Sequence, residues 1–199
     1  MRFTRIMLST VVAMSLVAAA RAGPVTTFTD LDEFRAAAGS LVEIDFSLSP
    51  DGSPSPLDAP IQITPEFNYT DFGVTFSSHE PELRLIGHSE GGGTLFAISE
   101  SGTRNWIEAQ FDPLVYAVAI TTGGAVFSIY GAQGERLAES VFESRFVGFT
   151  SDVPIDLAVI DGNSNGVNIT GMLFRPVPEP VTLLLLGAGA LVVARRRKA

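Results

Sequence analysis

Two stretches and a few single side chains of this 199-residue chain carry residue types that could do chemistry. Gly87-His88-Ser89-Glu90-Gly91 has the G-x-S-x-G spacing that presents a nucleophilic serine on a tight strand-to-helix turn. Such a serine needs a histidine base and an acid further along the chain, because an unassisted hydroxyl is a weak nucleophile at neutral pH. The only histidines are His79 and His88, neither of them downstream, and Gly92-Gly93-Thr94 is a poor helix start. The stretch reads as a Gly/Ser loop, and no catalytic residue is assigned. Asp161-x-Asn163-x-Asn165-Gly166 sets oxygen ligands at alternate positions before a sharp glycine turn, the first half of a calcium loop. Position twelve is Met172 rather than a bidentate Glu, and a hairpin turn uses the same residue types for positive φ. A turn is the expectation, and calcium on Asp161, Asn163 and Asn165 is the alternative; no other cofactor is expected. His79 and His88 lie nine apart with no cysteine near them, which argues against a transition-metal site. Trp106, Tyr116, Tyr130 and Tyr69 are candidates for a sugar-stacking platform, although most aromatics in a domain of this size serve the core.

These residues sit in a chain patterned mainly for strands. Asp30 or Thr29 can cap a short helix through Ala38 that Gly39 ends, with Leu31 and Phe34 toward the core. From there the hydrophobic period becomes two: Val42, Ile44 and Phe46; Phe72, Val74 and Phe76; Ile107, Ala109 and Phe111. Ser49 to Pro60 is rich in Pro, Ser and Asp and reads as a surface loop. Asp112-Pro113 is expected to break a strand, after which Leu114 to Thr121 is apolar enough for a strand covered on both faces. Further strands are expected near Leu83–Ile86, Thr94–Ser99, Ala125–Tyr130, Arg136–Phe142, Arg145–Thr150, Ile155–Ile160 and Val167–Phe174. Short strands at near-regular spacing with one helix predict an all-β fold: an antiparallel, jelly-roll-like β-sandwich with one short N-terminal helix.

Both ends of the chain differ from this middle. Met1 to Ala22 has Arg2 and Arg5, an apolar stretch from Ile6 to Ala20, and the small-x-small pattern Ala20-Arg21-Ala22, which predicts a secretory signal peptide cut after Ala22. An uncleaved anchor is the competing reading, since Arg21 is unusual at such a site. At the other end Val177-Pro178-Glu179-Pro180 resists helix and sheet pairing, because proline fixes φ and lacks an N–H. A run without charge follows, Val181 to Ala194, and then Arg195-Arg196-Arg197-Lys198. Fourteen helical residues span about 21 Å against a hydrocarbon core of about 30 Å, a short crossing that basic side chains can help by snorkelling to the interface. Clustered cations mark the cytoplasmic side and fit poorly with the alternative, a buried C-terminal helix of the globular core. The expected organisation is a signal peptide over 1–22, a β-sandwich over 23–176 and an anchoring segment over 177–199.

The chain as a whole has a net charge of −9, but all 22 acidic residues and only six of the 13 basic ones lie between Gly23 and Pro180, a net of −16. That field repels nucleic acid and anionic headgroups and favours cations or neutral glycans as partners; the alternative is that acidity simply keeps an exported domain soluble. With no cysteine, an exported domain must rely on its core alone, and about 150 residues suffice to bury roughly two thirds of the unfolded surface. Asn68-Tyr69-Thr70 and Asn168-Ile169-Thr170 have the glycosylation-sequon pattern.

The tail resembles the PEP-CTERM sorting signal of Gram-negative bacteria, with Val177-Pro178-Glu179-Pro180, then Leu183 to Leu186 with Gly187 and Gly189, then Arg195-Arg196-Arg197 in the family's order. The resemblance implies a transient inner-membrane anchor, recognition by an exosortase that cuts near the tripeptide, and delivery to the cell surface or extracellular matrix. The middle is similar to β-sandwich exodomains found ahead of such tails, through Glu43-Ile44-Asp45-Phe46, Phe72-Gly73-Val74-Thr75-Phe76 and Phe146-Val147-Gly148-Phe149. Related exodomains can carry an Asp pair in the last strand where this chain has Asn168 and Thr170. The expected function is that of a non-enzymatic exported protein; the alternative is a carbohydrate-binding module of the exopolysaccharide matrix.

Overall fold

The computed structural model describes residues 24–79, 82–89, 91–97, 105–142, 145–162 and 166–177. The chain opens with β1 (Val25–Phe28) and α1 (Leu31–Ala38), then β2 (Val42–Ile44), β3 (Ile61–Ile63), a 3-10 turn at Thr70–Phe72 and β4 (Val74–Ser78). A hairpin of β5 (Leu83–Gly87) and β6 (Gly93–Ala97) follows. Next come β7 (Trp106–Thr121), β8 (Ala125–Gly131), β9 (Arg136–Phe142), β10 (Phe146–Asp161), β11 (Val167–Ile169) and β12 (Gly171–Pro176). All pairings are antiparallel and form two sheets, a jelly-roll-like β-sandwich with one short helix. The eight-stranded sheet runs β2-β12-β7-β10-β8-β9 with β1 on β10 and β4 on β7; the four-stranded sheet runs β11-β6-β5-β3.

Two 16-residue strands organise the larger sheet. The first half of β7 pairs with β4 and its second half with β12, while β10 pairs first with β1 and then with β8. Asp112-Pro113 is a cis peptide inside β7, so the break expected there is instead a change of partner within one strand. The separate strands expected at Arg145–Thr150 and Ile155–Ile160 are likewise one, with register shifts on either side of Ile155 where the inward phase slips. Conversely, Val167–Phe174 is two strands in different sheets: Ile169 faces Leu95, whereas Gly171 faces Thr121. Two short strands, β1 and β3, escaped the sequence pattern because each is only three or four residues long.

Burial follows the alternation. Leu83, Leu85, Leu95, Ala97, Val167 and Ile169 of the small sheet join Val118, Ile120, Phe149, Met172 and Phe174 of the large one in a single core. Leu114 to Thr121 is covered on both faces as expected, since Ala117 and Ala119 point the other way, against α1. The helix begins where Asp30 Oδ1 accepts the N–H groups of Asp32 and Glu33, both at 2.9 Å, satisfying donors that the first turn leaves open. Gly39 ends it with φ 76°. Phe34, fully buried, rests over Gly148, where an added Cβ would lie 2.7 Å from its ring.

Candidate functional site

The G-x-S-x-G stretch is the loop of the β5–β6 hairpin, with no helix after it. Gly87, which opens the stretch, and Gly93, two residues past its last glycine, are there for close packing, whereas a Cβ on Gly91 would meet nothing within 4 Å. A Cβ on Gly87 would stand 2.4 Å from the Ser55 carbonyl oxygen, and one on Gly93 would stand 2.1 Å from that of Phe46. The segment they meet is Phe46 to Pro56, anchored by Ser55 Oγ donating to the Phe46 carbonyl at 2.7 Å and by the Gly93 N–H donating to the Asp45 carbonyl at 2.9 Å. Phe46 itself has φ 58° and is buried, a conformation that a non-glycine residue holds only when its surroundings enforce it. The loop expected at Ser49 to Pro60 therefore lies partly inside the protein, with Ser49 and Ser55 buried. Ser89 is exposed, and His88 turns toward Thr94, its Nε2 2.6 Å from Thr94 Oγ1.

The aromatic candidates separate into different environments. Tyr69 is buried, donates to the Leu48 carbonyl at 2.7 Å and packs edge-on against Phe46 and Phe76, so it cannot stack on a sugar. Burial, and secondly the negative charge of Asp45, push its phenol well above the ordinary tyrosine range. Asp45 is held below the usual carboxylate range by Ser47, whose hydroxyl and N–H both donate to it. Trp106 is half-buried and stacked on His79 at 3.9 Å and 17°, with Nε1 donating to Glu108 Oε1. Tyr130 is half-buried on β8 opposite Leu157. Tyr116 lines a cavity of about 390 Å³ with Thr150, Asp152 and Arg175 beside the end of α1.

A larger groove, about 500 Å³, lies on the outer face of the small sheet and centres on a residue the sequence reading passed over. Phe96 alternates with buried Leu95 and Ala97 and so points away from the core, half-buried. Strand register sets Asn168 on one side of it and Arg84 on the other. Ile86, Thr94, His88 and the turn Thr122–Gly124 complete the walls, which carry no Asp, Glu, Lys or Arg. Asn168 Oδ1 lies 3.8 Å from where a Cβ on Gly123 would stand, which brings the turn against the end of the small sheet. A large aromatic on the outward phase of a strand, between glycine-rich turns, was the available signal.

Of the calcium candidates, Asp161 lies at the end of β10 opposite Trp106 and Val126, while Asn163 and Asn165 are outside the described residues. Among the described residues no group of three or more His, Cys, Asp or Glu side chains converges as a metal site. Of the two sequons, Asn68 is buried, its amide donating to the carbonyls of Phe76 and Thr64 and accepting from the N–H groups of Phe76 and Tyr69. It ties the start of β4 to the preceding turn. Val177 N–H donates to the Leu114 carbonyl at 2.7 Å, extending the sheet one residue past β12. Ala20, Ala22, Pro178, Glu179, Pro180 and the basic cluster Arg195, Arg196, Arg197 and Lys198 lie outside the described residues. Among the described residues no helix is long and apolar enough to cross a membrane.

Comparison with known proteins places one element firmly. Residues 176–198 match the family model of the PEP-CTERM protein-sorting motif, starting at the last residue of β12. Such a motif marks a chain for export through a membrane-anchored step. No curated protein matches the chain. Solved structures that resemble it include the CBM32-1 and CBM32-2 domains of ZmpB from Clostridium perfringens, at 11% identity over 61% of this chain and 41% of that one, with a TM-score of 0.36. The same domains in complex with GalNAc match at 8% identity, over 78% of this chain and 42% of that one, with a TM-score of 0.35. The chain thus spans about two fifths of those structures. The architecture is established by this chain's own strand pairing.

Proposed function

We propose that this is an exported, non-enzymatic protein of the cell surface or extracellular matrix, anchored briefly in the inner membrane and released by an exosortase acting near Pro178-Glu179-Pro180. The observation that carries this reading is the sorting motif at 176–198, which begins at the last residue of β12. The chemistry is consistent with it. Proline disfavours helix and sheet pairing at the recognition peptide, the apolar run is a short crossing that the flanking basic side chains can help by snorkelling, and four adjacent cations oppose further transfer. Replacing Pro178, Glu179 and Pro180 by alanine leaves the apolar run and the cations intact, so the variant should insert and stay uncut. Blots of membrane and medium fractions, with an epitope near Gly23, read the outcome. Processing and release like the parent chain would overturn the reading.

A second reading, that the exodomain binds polysaccharide of the matrix, is favoured by the neutral groove around Phe96. An aromatic face beside amide, hydroxyl and imidazole groups suits a ligand with one apolar and one polar side. Retardation of the full chain in polysaccharide-containing native gels tests it; no retardation by any neutral polysaccharide would remove it.

A further inference from the structure

We infer that the groove over β6 is a binding site for neutral hexopyranose units of a polymer, with Phe96 as the stacking platform and Asn168 and His88 as the groups that read hydroxyls. The inference rests on the polysaccharide-binding reading and gives it a site and a ligand chemistry. A pyranose ring has C–H groups on its faces and hydroxyls around its rim. The groove matches both: Phe96 and Ile86 supply half-buried apolar surface, and Thr94, Asn168 and His88 supply donors and acceptors beside it. Cross-strand pairing sets Asn168 directly opposite Phe96 and Thr94 opposite Ile86, so the polar groups flank the apolar strip at spacings of about 5 Å. The contact between His88 Nε2 and Thr94 Oγ1 fixes the imidazole at the groove wall before any ligand arrives. Gly123 and Gly124 bring backbone rather than side chain to the opposite wall, and Gly124 has φ 115°, a conformation suited to glycine.

Charge selects among sugars. The groove walls carry no formally charged side chain, while the residues between the two ends of the chain have a net charge of −16. Arg84, beside Phe96 on the neighbouring strand, is already paired with Glu82, so a uronate or sulfated polymer gains little counter-charge there and is repelled by the surrounding field, whereas a neutral polymer is not. The aromatic candidates elsewhere lack this combination. Tyr69 is buried, the Trp106 ring already stacks on His79, and the walls of the Tyr116 cavity include Asp152 and Arg175.

The test uses the full chain in a polyoxyethylene detergent, which contributes no sugar headgroup, run in native gels containing dextran, galactomannan, xyloglucan or alginate. At least one of the three neutral polymers should retard the protein and alginate should not. Phe96→Ala should weaken that binding about tenfold, the loss of one aromatic contact. Phe96→Trp should retain it, Asn168→Ala should weaken it, and Tyr130→Ala on the other sheet should leave it unchanged. Each variant's melting temperature without polymer checks folding, and Asn168→Ala, at an exposed position, carries the test if Phe96→Ala fails to fold. Absence of retardation by every neutral polymer would sink both the polysaccharide-binding reading and the site. Retardation that survives Phe96→Ala and Asn168→Ala would leave the reading intact and overturn the site. Equal retardation by alginate would overturn the neutral-ligand assignment.

Discussion

Gly93 and Phe46 meet so closely that a Cβ on the glycine would lie 2.1 Å from the Phe46 carbonyl oxygen, with the Ile86 carbonyl oxygen 2.9 Å away. The obstacles are backbone atoms, which a side-chain rotation cannot clear. Gly93→Ala should therefore destabilise the protein by about 3 kcal/mol or more. Gly91→Ala, which meets nothing within 4 Å but has φ 92°, should cost only about 1–2 kcal/mol. Ser89→Ala, at an exposed position, should stay within about 0.5 kcal/mol. Urea unfolding of the three variants measures the order, which would invert if the loop were held for its serine rather than its glycines.

Asn68 satisfies two backbone carbonyls and two backbone N–H groups at once, and Phe76 supplies one of each. Asn68→Ala leaves those groups without their partner in a buried place, at an expected cost of about 1–3 kcal/mol. Asn68→Asp keeps the acceptor but turns a second oxygen toward the carbonyls of Phe76 and Thr64, so it should not rescue. Chemical denaturation separates these outcomes, and a neutral Asn68→Ala would show that water replaces the amide.

Tyr69 makes stability depend on pH at the alkaline end. Its folded phenol ionises well above the ordinary value of about 10, so the unfolded chain loses that proton first. The contribution is complete below about pH 10 and declines above it, by up to about 1.4 kcal/mol per pH unit for this one group. Urea midpoints between pH 8 and 11 should fall for the parent chain and flatten for Tyr69→Phe. A parallel decline in both would remove Tyr69 as the cause.

Calcium is expected to add little stability. With Asp161 as the only carboxylate in 161–166, binding should be no tighter than about 1 mM, the weak end for oxygen-ligand loops. At 1 mM free calcium that contributes about 0.4 kcal/mol. Thermal melts with calcium and with chelator check it. A shift of several degrees, lost in Asp161→Ala, would establish the loop as a genuine site.

Much of this protein is written locally. A period of two in hydrophobicity is a property of neighbouring residues, so the strands at Val74, Ile107 and Val147 could be read without knowing their partners. The Asp30 cap, the Gly39 stop and the two-faced burial of Leu114 to Thr121 are local in the same sense. So is the sorting motif, a signal of composition and order over 23 residues. Two phase slips were also in the sequence as breaks in alternation, at Thr170-Gly171 and around Ile155, and each proved to mark a change of partner or register.

What the sequence left undetermined depends on residues far apart in the chain. Whether Asp112-Pro113 ends a strand or lies within one is decided by β10 running alongside both halves of β7. Gly87 and Gly91 give the hairpin loop the spacing of a catalytic elbow, but Gly87 is a close-packing residue against the Phe46 to Pro56 segment, and close backbone approach is invisible in either segment alone. Asn68 looks like a surface sequon until Phe76 folds against it. The groove arises the same way: Phe96, Asn168 and Gly123 are separated by dozens of residues, and only antiparallel pairing of β6 with β11, together with the turn after β7, gathers them at one end of the small sheet.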